Sequence, residues 1–165
     1  MHFLKTQFSL LQDHQKLITL KIDEIHVKPN ITYDKKGIYG FAENNIDESA
    51  TQIQAFMISS LMGKYKEIVK LIPVSRNSSS FLYNSTIKVL NDLEEIGFEI
   101  CCITGDNSRV NRGCFKKLIQ NSTNQCYFNS PRNSSSRIYI LFDAPYMIKC
   151  IRNNWLNLKG EDKPF

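Results

Sequence analysis

Leu17-Ile18-Thr19-Leu20-Lys21-Ile22-Asp23 is β-branched, mostly apolar and ends on a carboxylate. Such a run predicts a buried strand, and Pro29 closes the polar continuation Glu24-Ile25-His26-Val27-Lys28. Two later runs finish in the same way. Phe98-Glu99-Ile100-Cys101-Cys102-Ile103-Thr104 leads to Gly105-Asp106-Asn107, and Arg137-Ile138-Tyr139-Ile140-Leu141-Phe142 leads to Asp143-Ala144-Pro145. An acid just past an apolar strand sits where a sheet meets solvent, and open α/β sheets bind ligands at the carboxyl ends of their parallel strands. If the strands bearing Asp23 and Asp106 are neighbours, their carboxylates converge and repel unless a cation lies between them. Hard oxygen donors favour Mg²⁺ or Mn²⁺, and paired metals about 3.5–4 Å apart stabilise attack and departure at a phosphodiester. The plainer alternative is local. Aspartate after a strand also caps helices and makes turns. Asp143 before Ala144-Pro145 reads first as a helix N-cap, and Asp106 before Asn107-Ser108 reads equally well either way.

Around these strands the remaining elements follow from periodicity and punctuation. Leu4, Phe8 and Leu11 predict an amphipathic N-terminal helix. Ile31-Thr32-Tyr33 and Ile38-Tyr39-Gly40-Phe41 flank Asp34-Lys35-Lys36-Gly37 as a hairpin. A polar stretch from Glu43 to Gln52 precedes two apolar runs, 53–61 and 67–74. Both read as strands, although the first could be helical by periodicity alone. Ser78-Ser79-Ser80 opens a helix from about Phe81 to Ile96 that Gly97 stops, and a second helix fits Val110 to Leu118. An Asn/Ser-rich loop spans Gln120 to Ser136, and a last helix runs from Asp143 through Trp155. Hairpin-linked strands followed by strand–helix alternation describe a mixed α/β sheet with helices packed on it.

Composition narrows the function classes. The 165 residues suit one domain, with 42% hydrophobic and 22% charged residues as in a folded globular protein. The net charge of +5 is compatible with a polyanion partner without specifying one. The 5 cysteines are scattered without a CxxC pair, and the 3 histidines complete no zinc spacing, so reduced thiols in an intracellular protein are expected. No uninterrupted apolar run suggests a signal peptide or a membrane span. Phosphate-cradling GxxxxGK[ST], GxGxxG and GxSxG motifs are missing. His26 beside Glu24 reads as a packed or surface histidine. Lys149 and Arg152, with Asn153 and Asn154, place cations on the last helix, either as a solvated face or as a grip on phosphates.

Three blocks in order resemble the P-element-type DNA transposases and their vertebrate relatives with a THAP DNA-binding domain. Leu20 to Pro29 with Tyr33-Asp34 and Ile38-Tyr39-Gly40-Phe41 is similar to their LxxDEIxIK…YD…YGF opening. Ile103-Thr104-Gly105-Asp106-Asn107-Ser108-Arg109-Val110-Asn111 resembles their second acidic block. Phe142-Asp143-Ala144-Pro145-Tyr146-Met147-Ile148-Lys149-Cys150-Ile151-Arg152-Asn153-Asn154 resembles their FDxPHxxKxxRN block, with Tyr146 where His is usual. The resemblance implies an RNase H-like mixed sheet flanked by helices, incomplete at its C-terminal side. It implies a cut-and-paste transposase, with Asp23 and Asp106 as catalytic ligands of Mg²⁺ or Mn²⁺, transposon-end and target DNA as partners, and the nucleus as the place of action.

On this reading residues 1–16 are a helix preceding the domain, 17–158 a partial RNase H-like domain, and 159–165 a polar tail. The family's third acid is a Glu on a helix beyond a GTP-binding insertion, so GTP is expected only if a longer product carries that insertion. Glu161, in the polar tail, is not expected to replace it. This stretch alone is therefore expected to be inactive and to leave one sheet face poorly covered. The alternatives are a domesticated nucleic-acid- or protein-binding module without catalysis, and a structural α/β domain unrelated to transposition.

Overall fold

The computed structural model describes residues 2–120 and 125–157. In chain order its elements are α1 (His2–Leu10), β1 (Leu17–His26), β2 (Thr32–Asp34), β3 (Gly37–Tyr39), β4 (Phe41–Ala42) and β5 (Asn45–Ser49). There follow β6 (Gln52–Ser60), β7 (Lys66–Val74), α2 (Ser79–Ile96), β8 (Glu99–Gly105), α3 (Arg109–Leu118), β9 (Tyr127–Asn129), β10 (Arg137–Phe142) and α4 (Ala144–Asn157). Six strands form one mixed sheet in the order β7-β6-β1-β8-β10-β9. The short links joining β1, β6 and β7 reverse direction and give antiparallel pairs. β8 and β10 instead lie parallel to β1 and to each other, because each is reached by a helical crossover.

Ile18, Leu20 and Ile22 alternate onto one face of β1 and are essentially inaccessible, next to Phe56 and Ile58 of β6 and Ile103 of β8. Helices α2 and α3 cover that face with Leu82, Val89, Leu90, Leu93, Cys114 and Phe115. Ile100 and Ile103 are three apart and would face opposite ways on a regular strand. A bulge at Cys101 corrects this: Ile18 pairs with Ile100 while Thr19 pairs with Cys102, so both isoleucines reach the core.

Helix α2 is bounded by two local signals. The Ser78 hydroxyl accepts the Phe81 N–H at 3.2 Å. Gly97 ends the helix at φ 113°, and its N–H donates to the Leu93 and Glu94 carbonyls. A Cβ at Gly97 would lie 2.8 Å from Phe8 Cζ. Phe8 packs edge-on against Phe98, with centroids 5.0 Å apart, and Leu4 is buried, so α1 is seated on the same core.

The structure differs from the sequence expectation in the small elements. The expected 31–41 hairpin stops at Tyr39, and Phe41 with Ala42 (β4) pairs instead with Asn45–Ser49 (β5) from the polar stretch, whose side chains point mostly to solvent. Asn44 anchors the β4–β5 hairpin by accepting the Ser75 N–H and donating to the Arg76 carbonyl. Residues 52–60 form the strand expected there, and the helical alternative falls because every second residue from Gln54 is buried. The Asn/Ser-rich loop contains edge strand β9, paired with β10. The opposite sheet face leaves Ile25, Ile68, Leu71 and Leu141 about half-exposed. The tail 159–165, with Glu161, lies outside the described residues.

Candidate metal centre

Ile22 pairs with Gly105 in the last rung of the parallel β1–β8 ladder, so Asp23, still within β1, and Asp106, just past β8, follow where that pairing ends. Both line one cleft of about 400 Å³, together with Lys21, Thr104, Asp143 and Tyr146. The two strands are neighbours, as the expected convergence requires.

Asp106 is held from within its own turn. Its Oδ1 accepts the Ser108 N–H at 2.9 Å and the Asn111 side-chain amide at 2.5 Å. The open question of whether Asp106 caps α3 is thereby answered: the cap is Ser108, whose hydroxyl accepts the Asn111 N–H. Asn111 is 2% exposed, and it leans over Gly105, where a Cβ would come within 3.3 Å of its amide nitrogen and 3.1 Å of Phe115. A side chain at residue 105 would crowd both groups, and with Asn111 the amide that donates to Asp106.

Asp23 is exposed, and its Oδ1 accepts the N–H of Glu24 at 2.8 Å. Its carbonyl accepts the Gln54 amide at 2.9 Å. Gln54 in turn accepts from Asn77 at 2.6 Å, and the same Asn77 amide donates to Glu24 at 2.8 Å. This bracket ties the end of β1 to β6 and to the start of α2. Gln54 and Asn77 do not stand out in the sequence as site residues. The available signal was a glutamine at a core-facing position of an alternating strand, where an apolar residue belongs.

Asp143 follows its plain reading in part. Its Oδ1 accepts the Tyr146 N–H at 3.5 Å and its carbonyl accepts the Met147 N–H, as at a helix start. It also faces the aspartate cleft, while its own N–H donates to the Gly105 carbonyl at 2.9 Å. Among the described residues, however, no three His, Cys, Asp or Glu side chains come close enough to form a metal-binding group. The Asp106 carboxylate, and after it the Cys150 thiol, hold the Tyr146 hydroxyl above the ordinary phenol range. Tyr146 is thus a neutral O–H at physiological pH, a donor that can face a carboxylate or phosphate but adds no positive charge.

The other candidates stand apart. His26 is exposed at the end of β1, and Glu24 is engaged with Asn77. Lys149 and Arg152 are exposed on α4, where the Arg152 guanidinium donates to Asn153 Oδ1. Asp23 and Asp106 present all-oxygen donors, and the hydrogen bonds found on each carboxylate fall on Oδ1. Their Oδ2 atoms remain for a cation, and this donor chemistry fits a hard divalent ion. No helix among the described residues is long and apolar enough to cross a membrane.

Comparison with known proteins bears on the family and the fold. The family model described as TNP-like, RNase H N-terminal domain matches residues 1–119. The transposable element P transposase of Drosophila melanogaster is 23% identical over 147 residues, which is 89% of this chain and 18% of that protein. The chain superposes on the Drosophila P element transposase strand transfer complex with a TM-score of 0.74 at 22% identity, covering 93% of this chain and 33% of the other. It thus spans far less than half the length of either relative. The structural likeness establishes an RNase H-like fold, and the family match places the sequence: the chain belongs to the TNP-like RNase H N-terminal domain family.

Proposed function

We propose that this chain supplies two acidic ligands, Asp23 and Asp106, to the catalytic centre of a P-element-type DNA transposase that cuts and joins phosphodiesters at transposon ends and target DNA. The observation that supports the reading is the β1–β8 register, with Ile22 opposite Gly105, and the one cleft that Asp23 and Asp106 both line. Bound Mg²⁺ or Mn²⁺ would supply charge stabilisation and an activated oxygen nucleophile there. The protein's own contribution is positioning. Asn111 and the Ser108 N–H orient Asp106, while Gln54 and Asn77 hold the backbone under Asp23. Tyr146, at the cleft wall, offers a neutral hydroxyl donor where the resemblance has His. The proposed setting is the nucleus, where such DNA is found.

Two carboxylates are one short of the three that the resemblance implies, and Asp143 is engaged at the start of α4. The isolated chain is accordingly read as inactive. The test is incubation of the purified protein with supercoiled DNA and Mg²⁺ or Mn²⁺. The expected result is intact DNA with both metals. Metal-dependent nicking that disappears in Asp106→Ala would overturn the inactivity and leave the aspartate pair as the catalytic ligands.

A further inference from the structure

Helix α3 begins three residues after Asp106, and its Arg109, Arg112 and Lys116 recur at three and four residues, which aligns them on one face. All three are exposed. They line a groove of about 560 Å³ whose other wall is the start of α2, at Asn77, Ser78 and Ser79. Gly113 lets the two helices touch at its floor: a Cβ there would fall 2.7 Å from Ser79 Cβ.

The electrostatics of this groove are one-sided. No Asp or Glu lines it, and none of the three cations takes part in an ion pair among the described residues. Arg112 donates to the Asn107 carbonyl, which restrains the guanidinium without neutralising it. The first turn of α2 carries no acidic residue, and its leading N–H groups add the positive end of a long helix to the same space. Because β7 runs parallel to β1 and β8, α2 and α3 both start at the sheet edge that carries the aspartates. Groove and cleft thus lie toward the same edge of the sheet, the groove on the helix-covered face and the cleft, which Ile25 and Ile68 also line, on the other.

We infer that the Arg109–Arg112–Lys116 groove is a second contact surface for DNA, which binds the phosphodiester backbone of the strand as it leaves the Asp23–Asp106 cleft. The inference rests on the DNA-acting reading above and adds a surface to it. Charge complementarity selects the occupant: a row of three unpaired cations, a helix start and an open floor suit consecutive phosphates and read no base sequence.

The test is fluorescence anisotropy of a short labelled DNA duplex with the whole chain, in EDTA, over a salt series. The proteins compared are wild type, the triple variant Arg109→Ala, Arg112→Ala, Lys116→Ala, and the same triple change to Gln, each checked for fold by thermal melting. One phosphate contact per cation predicts that log K against log salt becomes shallower by about 2.7, from roughly 0.9 per contact, with the largest loss of affinity at the lowest salt. Equal affinity and slope in folded triple variants would overturn the groove alone and leave the aspartate site standing. A loss produced by Lys149→Ala with Arg152→Ala, and not by the triple variants, would move the contact to α4 and overturn it too. Failure of the wild-type chain to bind DNA at any salt would overturn both the groove and the DNA-acting reading beneath it.

Discussion

Replacing Gln54 by Met tests the bracket that positions Asp23. The two side chains are similar in length, so the change removes polarity and leaves volume nearly constant. Gln54 is fully buried, and it is the middle of a chain that runs from the Asp23 carbonyl through Gln54 to Asn77. Met abolishes both bonds and strands two groups, the Asp23 carbonyl and the Asn77 N–H that pointed at Gln54. Each stranded group costs about 1–3 kcal/mol of lost solvation. Asn77 keeps its bond to Glu24 and is only partly buried, so its share lies at the low end. A buried methionine recovers part of the loss through its apolar stem, leaving a net destabilisation of about 2–4 kcal/mol. Urea unfolding of wild type, Gln54→Met, Asn77→Ala and the double variant forms the cycle. It should return a coupling of about 1 kcal/mol between the two positions. A Gln54→Met protein as stable as wild type, or strict additivity in the cycle, would refute the idea that this bracket holds the end of β1.

Other perturbations should follow from the same geometry. Gly97→Ala forces a β-carbon into positive φ and against the Phe8 ring, and should cost about 2–4 kcal/mol in chemical denaturation; in a Phe8→Ala background only the backbone part should remain. Burial pushes the Cys114 thiol up to about 11, so the folded state keeps a proton that the unfolded chain releases from about pH 9. Stability from this group is therefore complete below the unfolded value and is lost as pH rises toward the folded one, by about 2–3 kcal/mol. Wild type should lose stability more steeply than Cys114→Ala between these limits, and parallel pH profiles would contradict the assignment.

How much of this could be read in the sequence depended on the range of the interaction. Helix α2 was legible at both ends because its signals are local: a serine whose hydroxyl reaches three residues on, and a glycine in a left-handed cap. Strands β1, β8 and β10 were legible as apolar runs leading to an aspartate, although β1 continues past Asp23 to His26 through its pairing with β6. The β4–β5 hairpin was not, since a two-residue strand paired with a mostly polar one leaves no periodic trace. The Cys101 bulge was also hidden. Read as a regular strand, Ile100 and Ile103 would face opposite ways, and only the pairing with β1 shows the slipped phase. The candidate site divides along the same line. Asp23 and Asp106 could be named as acids that follow apolar runs, but their common cleft depends on β1 lying beside β8, a contact that bridges 83 positions where Thr19 meets Cys102. Gln54 and Asn77 were illegible because each acquires its role from residues remote in the chain.

The central claim is that Asp23 and Asp106 together bind a divalent cation. Titration of Mn²⁺ into the purified chain, followed by electron paramagnetic resonance of the free ion, reads this directly in wild type, Asp23→Asn and Asp106→Asn. Saturable Mn²⁺ uptake that either substitution weakens by about tenfold or more, roughly the 1.4 kcal/mol of one lost ligand charge, is the predicted result. Uptake that survives both substitutions unchanged, or no uptake by the wild-type chain, would contradict the claim.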